Sequence, residues 1–161
     1  MPASDREIER KFLVIGDAWR AGARALACRQ GYLLATPELT IRVRVMGDDA
    51  WLTLKGRTEG ISRAEFELPM PPAQAADILE RLCPPAAIIE KTRHVTTYAG
   101  RTWEIDEFAG ANRGLVVAEV ELESEDAPLA VPPWAGAEVS TDPRYLNANL
   151  IRQPYASWGQ E

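Results

Sequence analysis

The hexapeptide Glu7-Ile8-Glu9-Arg10-Lys11-Phe12 alternates between charge and bulk with a period of two, the period of a β-strand. As a strand it sends Glu7, Glu9 and Lys11 to one face and Ile8, Phe12 and Val14 to the other. A solvated outer face explains a single strand of this kind equally well. The pattern, however, recurs. Thr40-Ile41-Arg42-Val43-Arg44-Val45 sets two arginines opposite three β-branched residues and runs into the turn Gly47-Asp48-Asp49. Trp51 to Arg57 places Thr53, Lys55 and Arg57 opposite Leu52 and Leu54, and Ser62 to Leu68 places Arg63, Glu65 and Glu67 opposite Ala64, Phe66 and Leu68. Ile89, Lys91, Arg93 and Val95 share a side of an extended segment from Ala87 to Tyr98. Thr102 to Phe108 carries Glu104 and Asp106, and Leu115 to Glu123 carries Glu119 and Glu121 opposite Ala118, Val120 and Leu122. With Glu7 to Ile15 and Ala27 to Leu34, about eight strands are expected. Gly31 marks a bulge or a close approach. A helical period occurs over Ala73 to Leu82, where Ala75, Ile78, Leu79 and Leu82 form one stripe before Pro84-Pro85. Asp142 followed by Pro143 predicts a last helix reaching to about Ile151, and Ser124 predicts a short one.

A chain of 161 residues can bury one sizeable core. No repeat or linker interrupts it, so a single domain over 1–161 is expected. The apolar faces need cover that one helix cannot give. Two architectures answer this. An ordinary barrel or sandwich keeps its charges in water and is the commoner solution. A wide barrel instead keeps its charges in the lumen and covers its apolar outer face with helices and loops. The signs favour the second, because Glu7/Glu9, Glu65/Glu67 and Glu119/Glu121 are paired acids, whereas Arg42/Arg44, Lys55/Arg57 and Lys91/Arg93 are paired cations. Exposed sheets more often mix signs. Carboxylates on neighbouring strands form an all-oxygen site suited to Mg²⁺ or Mn²⁺; the single histidine, His94, argues against zinc and falls on the face opposite Lys91 and Arg93. Paired arginine and lysine suit phosphate oxygens. A lumen with both binds a metal-complexed polyphosphate.

The 24 acidic residues against 18 basic ones argue against nucleic acid as a partner. No apolar run approaches the roughly 18 residues that span a bilayer, and the opening residues lack the core of a secretion signal, so the expected location is the cytoplasm without membrane association. Cys28 and Cys83 are expected to be reduced and structural. The sequence leaves room for a homodimer.

The ordered set of motifs resembles the CYTH domain family, the triphosphate tunnel metalloenzymes. The family's Glu-x-Glu-x-Lys stands here as Glu7-Ile8-Glu9-Arg10-Lys11. It is followed in the family's order by Arg42-Val43-Arg44, Leu52-Thr53-Leu54-Lys55-Gly56, Arg63-Ala64-Glu65-Phe66-Glu67, Glu90-Lys91-Thr92-Arg93, Glu104-Ile105-Asp106 and Ala118-Glu119-Val120-Glu121. Glu138-Val139-Ser140-Thr141-Asp142, with Tyr145 and Asn147, is similar to its C-terminal signature. The resemblance implies a mainly β (α+β) fold, an eight-stranded antiparallel closed barrel with a charged lumen and a few flanking helices. It also implies metal-dependent action on triphosphates.

The short length, Arg29-Gln30-Gly31-Tyr32-Leu33 and Glu90-Lys91-Thr92-Arg93 are most like bacterial members that hydrolyse inorganic tripolyphosphate. There a tyrosine and a lysine are proposed to act together, which implies Tyr32 and Lys91 here. The implied phosphate-binding set is Lys11, Arg42, Arg44, Lys55, Arg63, Lys91 and Arg93. The implied metal set is Glu7, Glu9, Glu119 and Glu121, with Glu65, Glu67 and Asp106 in support. Lys91, its pKa depressed by neighbouring cations, is one base for the attacking water; a carboxylate or metal-bound water is the rival. Alternatives are an enzyme for an organic triphosphate (thiamine triphosphatase, nucleoside triphosphatase or adenylate cyclase) and a polyphosphate-binding module without catalysis. Arg57, beside a turn, is expected in solvent.

Overall fold

The alternating segments become the staves of a closed wall. In a computed structural model describing residues 5–159, β1 (Arg6–Val14), β2 (Arg24–Ala35), β3 (Leu39–Met46), β4 (Asp49–Gly56), β5 (Ser62–Pro69), β6 (Ile88–Tyr98), β7 (Arg101–Phe108) and β8 (Val116–Glu121) pair antiparallel. Their ring order is β1-β5-β4-β3-β2-β6-β7-β8 and back to β1. The ring closes because β1 has two working edges. Arg6, Glu7 and Ile8 pair with Ala64, Arg63 and Ser62 of β5, while Glu9 to Leu13 pair with Glu121 to Val117 of β8. Where β5 leaves the edge of β1, a ninth short strand, β9 (Ala135–Glu138), takes over at Phe12 and Val14. This strand is not among the eight expected from alternation. Ala-Gly-Ala-Glu has little strand propensity of its own, and the vacated edge of β1 supplies its partner.

Alternation in a closed barrel puts every second residue inside, and the register stacks these residues in levels. Leu13 pairs with Val117, Lys11 with Glu119 and Glu9 with Glu121; on the far wall Lys91 pairs with Phe108 and Arg93 with Asp106. One end of the lumen is therefore apolar and the rest is charged. The apolar end, with Leu13, Tyr32, Ile89, Phe108 and Val117, is filled by Tyr145, Ala148, Leu150 and Ile151 of the C-terminal segment.

That segment corrects the expected last helix. Asp142 Oδ1 does accept the Arg144 N–H (3.0 Å), but it caps only a 3₁₀ turn, Pro143–Tyr145. Leu146 is extended (φ −68°, ψ 130°), and α2 (Asn147–Leu150) is one turn long. The break frees the Tyr145 carbonyl to accept from Lys11 Nζ (3.4 Å) and turns the Asn147 side chain into the lumen. No helix forms at Ser124, whose Oγ bonds Asp126 instead (2.9 Å).

Outside, two covers bury the apolar faces. α1 (Pro72–Leu82) lays Ala75 and Leu79 on Val43 and Ala50, and Gly31 allows it to approach β2. A Cβ at Gly31 would lie 2.7 Å from Leu79 Cδ2 and 2.8 Å from Cys83 Sγ. Over β1, β7 and β8, Trp19, Ala127 and Trp134 from the connecting segments pack on Phe12, Trp103, Ile105, Ala118, Val120 and Leu122. His94 lies outside the lumen, edge-on to Trp19 (4.8 Å) and bonded to Glu107 (3.2 Å). Cys28 and Cys83 are free and buried. Among the described residues no helix is long and apolar enough to cross a membrane.

Candidate active site

The levels above the apolar end enclose a polar cavity of ≈ 80 Å³, against the roughly 10–15 Å³ that a single water needs. The chain has three lysines, Lys11, Lys55 and Lys91, and all of them are buried in its wall. Arg42, Arg44, Arg63 and Arg93 join them, as do Glu7, Glu9, Glu65, Glu67, Glu119, Glu121 and Tyr32. Of the residues expected in the site, Asp106 alone does not reach the cavity. Fully buried beneath the Lys91 and Arg93 side chains, it holds Arg93 through Nε and Nη2 (2.8 Å each) and Lys91 through Nζ (2.8 Å). These cations overcome its burial and hold its carboxyl well below the usual range. Arg57 pairs with Glu38 at the surface, as its place beside a turn predicts.

Around the wall the ion pairs form two groups. Glu7 receives Lys55 Nζ (3.1 Å) and Arg63 Nε (3.0 Å), and Lys55 also meets Glu65 (3.2 Å). On the far side Arg93 reaches Glu104 (2.9 Å) and Glu119 (3.7 Å), while Lys11 sits between Glu9 (3.6 Å) and Glu119 (3.5 Å). Burial raises Glu119, but Lys11, Arg93 and Lys91 outweigh it and bring the carboxyl down to about 2.

Two imbalances stand out against this pairing. The first is cationic: among the described residues neither Arg42 nor Arg44 has a carboxylate within ion-pair distance, although both are buried. Arg42 offers Nη2 to Thr53 Oγ1 at 3.4 Å and leaves its buried Nε without a partner; Arg44 gives Nε to the neutral Gln30 Oε1 (2.8 Å). Burial and the adjacent Arg42 and Arg93 lower the Arg44 pKa.

The second imbalance is anionic. Glu9 is pushed up to about 8 by burial and by Glu119 and Glu7, and Glu121 is raised by burial and by Glu65, Glu7, Glu104 and Glu67. These carboxylates crowd one another more than the nearby ammonium groups relieve, and their oxygens suit a hard divalent cation such as Mg²⁺ or Mn²⁺. Among the described residues no three of them already converge on one point; Glu7 is drawn instead onto Lys55 and Arg63. The donor chemistry fits a metal brought in with an anionic ligand.

Lys91 is lowered to about 8, chiefly by burial and then by Arg93 and Arg44, against the pull of Asp106. Burial thus outranks the neighbouring cations that the sequence suggests as the cause. Its Nζ bonds Asp106 and Asn147. Tyr32 pairs in register with Arg42, whereas Lys91 faces Cys28, four residues back along β2 and so about 13 Å of strand away. Both line the cavity, and they approach it from different levels. Thr40, Gln30, Thr53 and Asn147 escaped the sequence reading as site residues. The first three continue the inward alternation of Arg42, Tyr32 and Lys55, a signal that was present; Asn147 lies where no period points inward.

The CYTH domain family profile matches residues 5–155. An inorganic triphosphatase of Acetivibrio thermocellus is 48% identical over 153 residues, 95% of this chain and 97% of that protein. An inorganic triphosphatase of Nitrosomonas europaea is 40% identical over 151 residues, 89% of this chain and 95% of that protein. The solved structure of the inorganic triphosphatase NE1496 superposes with a TM-score of 0.63 at 36% identity, covering 90% of this chain and 93% of the other.

Proposed function

This chain belongs to the CYTH domain family, and we propose that it hydrolyses inorganic tripolyphosphate to pyrophosphate and orthophosphate in its tunnel, with Mg²⁺ or Mn²⁺. The observation that carries this reading is the pair of buried, carboxylate-free guanidiniums, Arg42 and Arg44. A buried charge without a counter-charge is costly, and a polyanion in the cavity supplies the missing partner. Phosphoryl transfer asks chiefly for alignment and charge neutralisation, which such a wall provides.

Lys11, Arg42, Arg44, Lys55, Arg63, Lys91 and Arg93 hold phosphate oxygens, the arginines by their planar forks. Glu7, Glu9, Glu119 and Glu121 would hold the metal, with Glu65 and Glu67 orienting Lys55 and its neighbours. Once bound there, a divalent cation would supply further charge neutralisation to the triphosphate. Water attacks the terminal phosphorus, the bridging P–O bond breaks, pyrophosphate departs and the water's proton passes to Lys91. With its pKa near 8, Lys91 is partly neutral around physiological pH and able to take that proton. Tyr32 steers the water from the opposite level. Free, buried cysteines favour a reducing compartment, the cytoplasm.

The test is orthophosphate release from tripolyphosphate, ATP, thiamine triphosphate and pyrophosphate, each with Mg²⁺, Mn²⁺ or EDTA. Preference for tripolyphosphate that EDTA removes is the expected result. Preference for an organic triphosphate overturns the substrate assignment, and tight binding without turnover makes the tunnel a binding module.

A further inference from the structure

An amide relay between the barrel wall and the C-terminal segment has no part in the scheme above. Gln30 is fully buried on β2, and Asn147 opens α2. Arg44 Nε donates to Gln30 Oε1 (2.8 Å), and Gln30 Nε2 donates to Asn147 Oδ1 (3.0 Å). The same Asn147 oxygen accepts from Lys91 Nζ at 2.9 Å. Both amide orientations follow from the neighbours. Arginine and lysine only donate, so the Gln30 oxygen must face Arg44 and the Asn147 oxygen must face Lys91.

The consequence lies at the Lys91 nitrogen. A tetrahedral amine has three directions beyond its carbon; Asp106 Oδ2 takes one at 2.8 Å and Asn147 takes another. The third is left to the cavity that Lys91 lines. It is where a proton sits in the ammonium and where the lone pair sits in the neutral amine.

We propose that Asn147, braced by Gln30, is a positioning residue for Lys91, so that the C-terminal segment completes the active site by aiming the Lys91 nitrogen into the cavity. The proposal rests on the tripolyphosphatase reading for what Lys91 then does, but the aiming itself is a property of the fold. The groups facing Lys91 are Asp106 and Phe108 of β7, Arg93 of β6, Arg44 of β3, Cys28 of β2, Glu119 of β8 across the cavity and Asn147. Asn147 alone among them comes from outside the barrel wall, and it is the neutral acceptor whose charge can be changed without altering the wall.

Three lysines make the test direct. In the full chain labelled at lysine ¹³Cε, NMR without substrate resolves Lys11, Lys55 and Lys91, assigned with single Lys→Arg variants. Asn147→Asp sets a carboxylate against the Lys91 nitrogen, and its titration midpoint is expected to rise by about one pH unit or more while Lys11 and Lys55 hold. Asn147→Ala removes an acceptor from the ammonium, so the Lys91 midpoint falls; kcat drops about tenfold or more, with KM within about threefold. Gln30→Ala frees Asn147 without touching the C-terminal segment and is expected to move Lys91 in the same direction, which guards against an unseated segment in the Asn147 variants. A Lys91 midpoint that stays put in all three folded variants overturns the proposal. Because the titration needs no substrate, it stands or falls apart from the tripolyphosphatase reading, which absent turnover in wild type would overturn by itself.

Discussion

Replacing Arg42 with methionine separates the stability cost of the tunnel from its activity. Among the described residues Arg42, 6% exposed, lacks a carboxylate partner; it bonds Thr53 at 3.4 Å, and its Nε has no partner there. Exchanging a poorly compensated buried charge for an apolar chain of similar length gains about 1–3 kcal/mol. It also removes a positive neighbour from Arg44. At about 2–4 °C per kcal/mol for a chain of this size, the unfolding midpoint should rise by roughly 2–12 °C. Activity moves the other way: losing one positioned donor from a phosphate cradle costs about 10²–10³ in kcat/KM. Calorimetry in a buffer free of polyvalent anions, beside tripolyphosphate turnover, reads both. Added tripolyphosphate without metal should raise the wild-type midpoint more than the variant's, since a ligand stabilises the state that binds it. A variant that melts at or below wild type, with kcat/KM retained, would instead mean that Arg42 is balanced within the protein and idle toward substrate.

Glu9→Gln should also stabilise the protein without metal, and more so at pH 8 than at pH 5. The folded carboxyl keeps its proton up to about 8 whereas the unfolded one loses it near 4.5, so Glu9 costs stability progressively as pH rises across that window. The same variant should lose metal-dependent turnover, and thermal melts with and without Mg²⁺ check both. If neutral Lys91 is the base, turnover climbs with pH and levels off above about 8; Lys91→Arg, charged throughout, should abolish that arm in a pH–rate profile. Gly31→Ala drives a methyl into Leu79 and Cys83, at 2.7 Å and 2.8 Å, and should cost about 1–3 kcal/mol in a denaturant melt. Since α1 lies outside the barrel, kcat of the folded fraction should hold.

Much of the site could be read from alternation. Glu7, Glu9 and Lys11, or Lys91 and Arg93, must share a face once their segments are strands, and like-signed pairs on successive strands favoured an interior over a solvated surface. Alternation is a local property, however, and three features depend on distant partners. Asp106 keeps the inward phase, yet whether it lines the cavity or stands behind Lys91 and Arg93 depends on how those two chains fold over it. β9 exists because β5 leaves the edge of β1 after Ile8. The helix signal at Asp142-Pro143 is real, but tertiary bonds to Lys11 and Lys91 bend the chain at Leu146 and bring Asn147 inward.

Whether this tunnel splits tripolyphosphate is read by a ³¹P NMR time course of the purified chain with tripolyphosphate and Mg²⁺, run beside Arg42→Met. Tripolyphosphate should disappear while pyrophosphate and orthophosphate appear in equal amounts, EDTA should stop the reaction, and Arg42→Met should slow it by about 10²–10³. Tripolyphosphate left intact by wild type, or consumed equally fast by the variant, would contradict the tripolyphosphatase reading.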